Sequence, residues 1–294
     1  MTGRRAFLLQ AAALVAAPAL ARAAVPAAFE RGLLWRVNVE GAPPSFLYGT
    51  LHSGDPRVLA RVEPLRPLIA AARVFMPELV TDADAVNLYM AASVYDSEDL
   101  PRRVGKAKWP RIAQALALHG VDARVAPRLR PWAALITLLQ PVAARQPSLD
   151  EALIDAARAR RVPVQPIEQV QEQIDAIALL PEDTQIALLI DASRRHDLIQ
   201  AGVEPMTRAW LAGDIGELAR INSRLMSAEP ALKLHGQRFL QSLLGARNAR
   251  FEQRLLPELR QGGVFAAFGA SHLTGADGVL SRLSVQGCTV EAAD

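Results

Sequence analysis

The sequence carries one short pattern twice, near its two ends. Each copy is an apolar, strand-like run that closes on a glycine, two further residues and a histidine. The first is Phe46-Leu-Tyr-Gly-Thr-Leu-His52 and the second is Val264-Phe-Ala-Ala-Phe-Gly-Ala-Ser-His272. Glycine has no Cβ, so a strand can stop and turn there. A histidine three residues later is then expected at the carboxyl end of its strand, where α/β folds build their crevices. Two such motifs, 220 residues apart, mark both strand ends as places to look for a site.

Between the two copies the pattern changes. Leu33 to Val39 and Phe46 to Tyr48 read as strands joined by the Gly41–Ser45 turn, and Arg73 to Met76 as a short buried strand with Glu78 just beyond it. Asp82 or Asp84 is expected to cap a helix running to about Tyr95. From Pro101 to Gln146 the pattern is helical, punctuated by prolines. Ser148-Leu-Asp-Glu151 has the spacing of a capping box and predicts a helix reaching Arg161. Val162 to Ile167 reads as another strand, followed by Glu168. Residues 169 to 260 are mostly helical, Val264 to Phe268 is a strand, and a helix and a short strand end the chain. The fold class expected is α/β: a central, largely parallel sheet flanked by helices, with a long helical middle region. No low-complexity linker divides residues 24–294, so one domain is expected there.

Residues 1–23 read as an export signal. Arg4-Arg5 precede an apolar run, and Ala21-Arg22-Ala23 provides an A-x-A cleavage site. The Arg-Arg-Ala-Phe-Leu order resembles a twin-arginine signal, with the general export route as the alternative. This makes the expected location the periplasm. The formal charge of +3 includes Arg4, Arg5 and Arg22, so the remainder is close to neutral, unlike a nucleic-acid binder. No later stretch is long and apolar enough to span a membrane. Cys288 is the only cysteine and has no partner for an intrachain disulfide.

His52, Glu78 and His272 are the strand-end residues with ligand chemistry, and Glu168 is a fourth. Two imidazoles and a carboxylate suit a borderline divalent metal such as zinc, manganese or cobalt. A metal in such a site lowers the pKa of its bound water, and Glu168 is then a base or fourth ligand. The same residues also allow a metal-free scheme, in which one histidine activates water and the other polarises the substrate. Spacing does not separate the two. Arg247 and Asn248 are candidates for pairing a carboxylate and orienting a water. Asp150 reads as an early-helix residue or a carboxylate behind the site. His119 is expected at a helix end, His196 on a solvated face, and His235 outside any site. No H-E-x-x-H, G-x-S-x-G, Walker loop or paired C-x-x-C occurs.

Taken in order, several segments resemble the TraB/GumN family, which is related to the Tiki proteases. They are Leu34-Trp-Arg-Val37, Tyr48-Gly-Thr-Leu-His52, Glu78, Leu149-Asp150, and Val162-Pro-Val-Gln-Pro-Ile-Glu168 with Gln173. Trp210, Gly213-Asp214, Arg247-Asn248 and Phe268-Gly-Ala-Ser-His-Leu-Thr-Gly275 complete the set. The resemblance implies a fold like those of erythromycin esterase and the ChaN haem-binding proteins. It implies a site of His52, Glu78 and His272 supported by Arg247 and Asn248. It also implies a hydrolase, in the Tiki branch a metal-dependent peptidase, acting on a peptide or small-molecule substrate. The alternative it permits is a non-catalytic protein that binds haem, a peptide or a small molecule in the same pocket. Pro77 directly before Glu78, and Pro-Ile-Glu-Gln at the end of the fourth strand, depart from the family pattern.

Overall fold

The computed structural model describes residues 29–142, 147–226 and 230–293. The expected export signal at 1–23 lies outside the described residues. Five strands form one mixed sheet: β1 (Leu34–Asn38), β2 (Ser45–Thr50), β3 (Val74–Pro77), β4 (Val264–Gly269) and β5 (Thr289–Ala292), in the order β3-β4-β2-β1-β5. The half that carries the glycine–histidine motifs is parallel, with β4 between β2 and β3. The other half is antiparallel, because β1 returns beside β2 as a hairpin and β5 pairs with β1. The fold is therefore α/β as expected, with a parallel centre and antiparallel flank.

Register explains which side chains share a face, since alternate residues of a strand point to opposite sides. Phe46, Tyr48 and Thr50 stand opposite Phe265, Ala267 and Gly269, and Phe75 stands opposite Phe265. The Phe75 and Phe265 rings stack with centroids 5.9 Å apart. On this face Thr50 meets Asp150 of the helix Leu149–Ala159. On the opposite face Phe268 meets Phe251 of the helix Ala246–Gln261, with centroids 5.5 Å apart. Helices thus cover both faces, and β4 is buried from Val264 to Phe268.

A second hydrophobic cluster contains no strand. Leu100, Ile112, Trp132, Leu135, Leu188 and Phe239 belong to it, all from the helical middle of the chain. The helix Ala83–Ala92 is capped by Asp82, whose side chain accepts from the Ala85 N–H, and it has no buried residue. Val86 and Met90 on that helix are exposed. No described helix is long and apolar enough to cross a membrane.

Two expectations need correction. Val162 to Ile167 forms only a single bridge, Phe75 to Val164, rather than a strand. Its backbone does run beside β3: Phe75 donates to the Pro163 carbonyl (2.9 Å), and Gln165 and Ile167 donate to the Phe75 and Pro77 carbonyls (2.9 and 2.8 Å). Pro163 has no N–H to give to β3, and Pro77 of β3 has none to give to the Gln165 carbonyl, so a regular ladder cannot form. The second correction concerns the motif glycines. Neither Gly49 nor Gly269 has a positive φ. Gly49 is needed for space: a Cβ there would lie 2.6 Å from Leu273 Cδ1 and 3.0 Å from the Ala270 Cβ. A Cβ on Gly269 would meet only ordinary contacts at 3.5 Å and beyond.

The two glycines should therefore respond differently to alanine. Gly49→Ala overpacks the contact with the turn before His272 and should cost about 1–3 kcal/mol in urea unfolding. Gly269→Ala should fall within about 0.5 kcal/mol of wild type. Equal losses would show that backbone conformation, rather than space, selects both.

Candidate active site at the strand ends

Three neighbouring parallel strands deliver the site. β2 ends two residues before His52, β4 ends three before His272, and Glu78 directly follows β3. Because Thr50 pairs with Gly269 and Pro77 with Ala267, the three carboxyl ends lie side by side. They open into a cleft of about 1060 Å³ bordered by His52, Glu78, Asp150, Arg247 and His272. Tyr89, Met90, Ile136 and Ile177 from the helical part supply its apolar wall. Both Gly-x-x-His motifs therefore reach one cleft.

His52 lies on the solvent side of this cleft, its side chain 66% exposed. Its Nδ1 is 3.2 Å from Asp150 Oδ2, and Asp150 Oδ1 accepts from the Thr50 hydroxyl at 2.6 Å. Asp150 sits in the first turn of its helix. The Ser148–Glu151 capping box fixes that turn with both of its halves present. The Leu149 N–H also donates to the Ser53 carbonyl (3.0 Å), which ties the helix start to the loop after His52. Asp150 accepts from Nδ1–H, so neutral His52 carries its lone pair on Nε2. That nitrogen has no hydrogen-bond partner among the described residues. The hydrogen bond to Asp150 raises the pKa of His52 above its ordinary value, and burial opposes it. The charges of Asp150, Glu78 and Glu151 add to the rise.

The second group is buried and centred on Arg247. Its Nη2 donates to Glu78 Oε1 and Glu168 Oε2, both at 2.6 Å, and its Nε donates to Glu168 Oε2 at 2.8 Å. Its Nη1 donates to the Leu243 carbonyl at 3.1 Å and lies 3.3 Å from His272 Nε2. A guanidinium has five N–H donors, and these contacts use all of them. Leu243 belongs to the π-helical turn Gln241–Gly245, the kind of helix irregularity that often marks functional sites. Glu168 is fully buried, and its other oxygen takes a 2.5 Å bond from Arg250.

His272 is held from both sides. The Asn248 amide donates to the Asp277 carbonyl (2.9 Å), which turns its oxygen toward His272 Nδ1 at 2.5 Å. This assigns the proton to Nδ1 and leaves the Nε2 lone pair facing Arg247. Burial lowers the His272 pKa to about 4, with Glu78 opposing and Arg247 adding to the shift. Burial alone would raise Glu78. The fields of His272 and Arg247 and the Gly269 N–H at 2.9 Å outweigh it and hold the carboxyl at about 2. Near neutral pH His272 is uncharged, so Arg247 supplies the field that keeps Glu78 ionised.

All six candidate residues thus have a place here, in two groups. Glu78, Glu168, Arg247, Asn248 and His272 form one connected network, whereas His52 pairs with Asp150. Glu168 does not face the cleft: both of its oxygens accept from arginines, so it is a counter-charge rather than a base for substrate. Asp150 is the residue that sequence reasoning underrated. Its signal was the capping box, which placed it at a helix start but said nothing of what that start faces. His196 is buried, contrary to expectation, with its Nε2 2.8 Å from His119 Nε2. His235 Nδ1 lies 2.8 Å from the Thr184 hydroxyl.

A divalent metal at His52, Glu78 and His272 does not fit this arrangement. His272 Nε2 and Glu78 Oε1 both point at the Arg247 guanidinium, so neither turns a free donor atom toward the cleft, whereas His52 keeps its Nε2 free. Among the described residues, no three His, Cys, Asp or Glu side chains are grouped to hold an ion.

A sheet whose parallel strand ends carry histidine, glutamate and histidine around a cleft defines an α/β protein with a polar strand-end site. Within that class the chain belongs to the TraB/PrgY/gumN family, whose model matches residues 33–292. No curated protein and no solved structure matches it.

The buried histidine has a measurable consequence. In the unfolded chain it titrates near its ordinary 6.5, and in the folded protein at about 4. The unfolded state therefore binds the proton first as pH falls. The stability that neutral His272 contributes is complete above 6.5 and is lost between 6.5 and 4, on the order of 3 kcal/mol. Glu78 adds a second loss between its ordinary 4.5 and about 2. Urea unfolding across this range should show both, and His272→Gln should flatten the upper part.

Proposed function

We propose that this protein is a hydrolase in which His52, backed by Asp150, activates water against an ester or amide carbonyl of a peptide or small molecule held in the cleft. The observation that carries this reading is the Thr50–Asp150–His52 chain, which ends in an imidazole lining the cleft whose Nε2 has no partner among the described residues. A neutral imidazole takes a proton from water at Nε2 as the water oxygen attacks the carbonyl carbon. Asp150 stabilises the imidazolium that forms, and His52 returns the proton to the leaving group as the tetrahedral intermediate collapses. Glu78 stays ionised and stands next to the strand end of His272, suited to hold a cationic or hydroxyl group of the substrate. Arg247 has no free donor and orders its neighbours. The kinship of the family with the Tiki proteases supports hydrolysis, and the sequence of residues 1–23 supports a periplasmic place of action.

The test is turnover of a peptide and ester panel by purified protein. His52→Ala should lower kcat by about 10²–10⁴-fold. In wild type, kcat/KM should rise with pH through the raised pKa of His52. Asp150→Asn should move that rise to lower pH as well as reduce the plateau. Chelation, then separate addition of Mn²⁺, Co²⁺ or Zn²⁺, distinguishes this scheme from the metal-dependent one that the family likeness suggests. Activity restored only by metal would replace the metal-free scheme. Tight ligand binding without turnover, unchanged in His52→Ala, would establish a binding protein instead.

A further inference from the structure

We infer that the helix Ala83–Ala92 is the wall on which the cleft reads its substrate, and that this substrate joins a large aliphatic group to a positive charge. The assignment rests on the cleft being the substrate site of the hydrolase proposed above. It narrows the peptides and small molecules considered there to cationic ones.

The helix is held at both ends yet buries none of its residues. Asp82 caps its first turn through the Ala85 N–H (2.8 Å), and the Ser93 hydroxyl donates to the Tyr89 carbonyl in its last (2.7 Å). The Arg130 N–H donates to the Ser93 carbonyl (2.8 Å), and the Tyr89 ring meets Trp132 edge-on with centroids 5.5 Å apart. Ala85, Val86, Tyr89 and Met90 line the cleft, and residues four apart share one helix face. Val86 and Met90 are nevertheless 48% and 57% exposed. Ile136, Ile177 and Leu244 line the same cleft. Apolar side chains held open at a fixed position form a ready surface for an apolar group of a ligand. The flexible thioether of Met90 adapts to aliphatic groups of different shape.

The charges of the cleft are one-sided. Asp55, Glu78, Asp150, Glu151 and Glu204 border it, against a single guanidinium, that of Arg247. Arg247 is buried and spends its donors on Glu78, Glu168 and the Leu243 carbonyl. At the rim one more arginine, Arg57, is shared by Asp55 and Glu204 at 2.7 and 2.8 Å. Asp150 and Glu151 have no arginine or lysine partner among the described residues. Asp150 bonds Thr50 and His52, and Glu151 accepts from the N–H and hydroxyl of Ser148. A ligand carboxylate or phosphate would enter this field with no free cation to meet it, whereas a protonated amine is drawn in. A molecule that carries both an aliphatic group and a cation therefore satisfies the cleft as a whole.

Calorimetric titration of His52→Ala reads binding without turnover. The probe is a tripeptide blocked at both ends, with lysine between two leucines. Its counterparts carry glutamine or glutamate in the centre, or alanines at the flanks. The lysine probe should bind roughly tenfold tighter than the glutamate one at low salt. That preference should shrink in about 1 M salt, where the screening length is about 3 Å. Glu151→Gln keeps a capping-box residue in place and should narrow it too. Val86→Ser with Met90→Ser, on a helix with no buried residue to lose, should weaken the leucine probe about tenfold and leave the alanine probe unchanged. Equal affinity for lysine and glutamate, unaltered leucine binding in the helix variant, or no binding of any probe overturns the assignment. Selective binding that wild type does not follow with cleavage refutes the hydrolase and leaves the assignment standing. Cleavage by wild type that favours the glutamate or alanine probes refutes the assignment and leaves the hydrolase standing.

Discussion

The ionic contact between Arg247 and the two carboxylates Glu78 and Glu168 is the constraint on which the rest of the site depends. It joins three parts of the chain far apart in sequence: the end of β3, the extended segment after residue 162, and the first turn of the helix Ala246–Gln261. Buried charges of this kind are expensive to desolvate and are tolerated when every donor and acceptor is matched. The match is complete on Arg247 and on both oxygens of Glu168. Once the guanidinium is fixed, Glu78 is fixed as a carboxylate and His272 as a neutral ring with a known tautomer. Electrostatics, hydrogen bonding and fold topology thus specify the same arrangement.

The cleft has two unlike sides. One is a rigid rim of strand ends and a helix N-terminus, where polar groups are held by several bonds each. The other is built from the helical cluster and carries apolar side chains, including those of a helix without a single buried residue. A rigid polar rim opposite an apolar wall is the usual composition of small-ligand sites. Exposed His52 and buried His272 show how one motif yields two different residues. The same spacing beyond a strand end places one ring in solvent beside a carboxylate and the other between an amide and a guanidinium.

Much of this was legible in the sequence because the informative features were local. The strand runs other than Val162–Ile167, the capping box at Ser148 and the helix capped by Asp82 all depend on neighbours within a few residues, and these form. That the two motif strands and Glu78 meet in one place followed from the family likeness, since the repeated pattern alone does not say which strands pair. What failed depended on distant partners. Val162 to Ile167 has strand composition, but Pro163 on its own side and Pro77 on the β3 side withhold the donors a ladder needs. Asp150 looked like a helix-start residue because its partners, Thr50 and His52, lie about a hundred positions away. The charged run around His196 suggested a wet surface, whereas the facing helix end brings His119 to cover it. The choice between a metal and an internal cation lies beyond any spacing rule, since it turns on where one guanidinium points.

A further proline of this segment, Pro166, bears on how the protein behaves among other copies of itself. β3 lies at one end of the sheet, and the segment after residue 162 runs along its outer side as a partial sixth member. Its inward carbonyls and N–H groups satisfy β3, yet Pro166 presents no donor to the outside. An approaching extended chain would find an interrupted row there rather than a continuous one. The sheet is in effect terminated by a strand that can receive support from within but cannot pass it on, which guards an open edge against self-association.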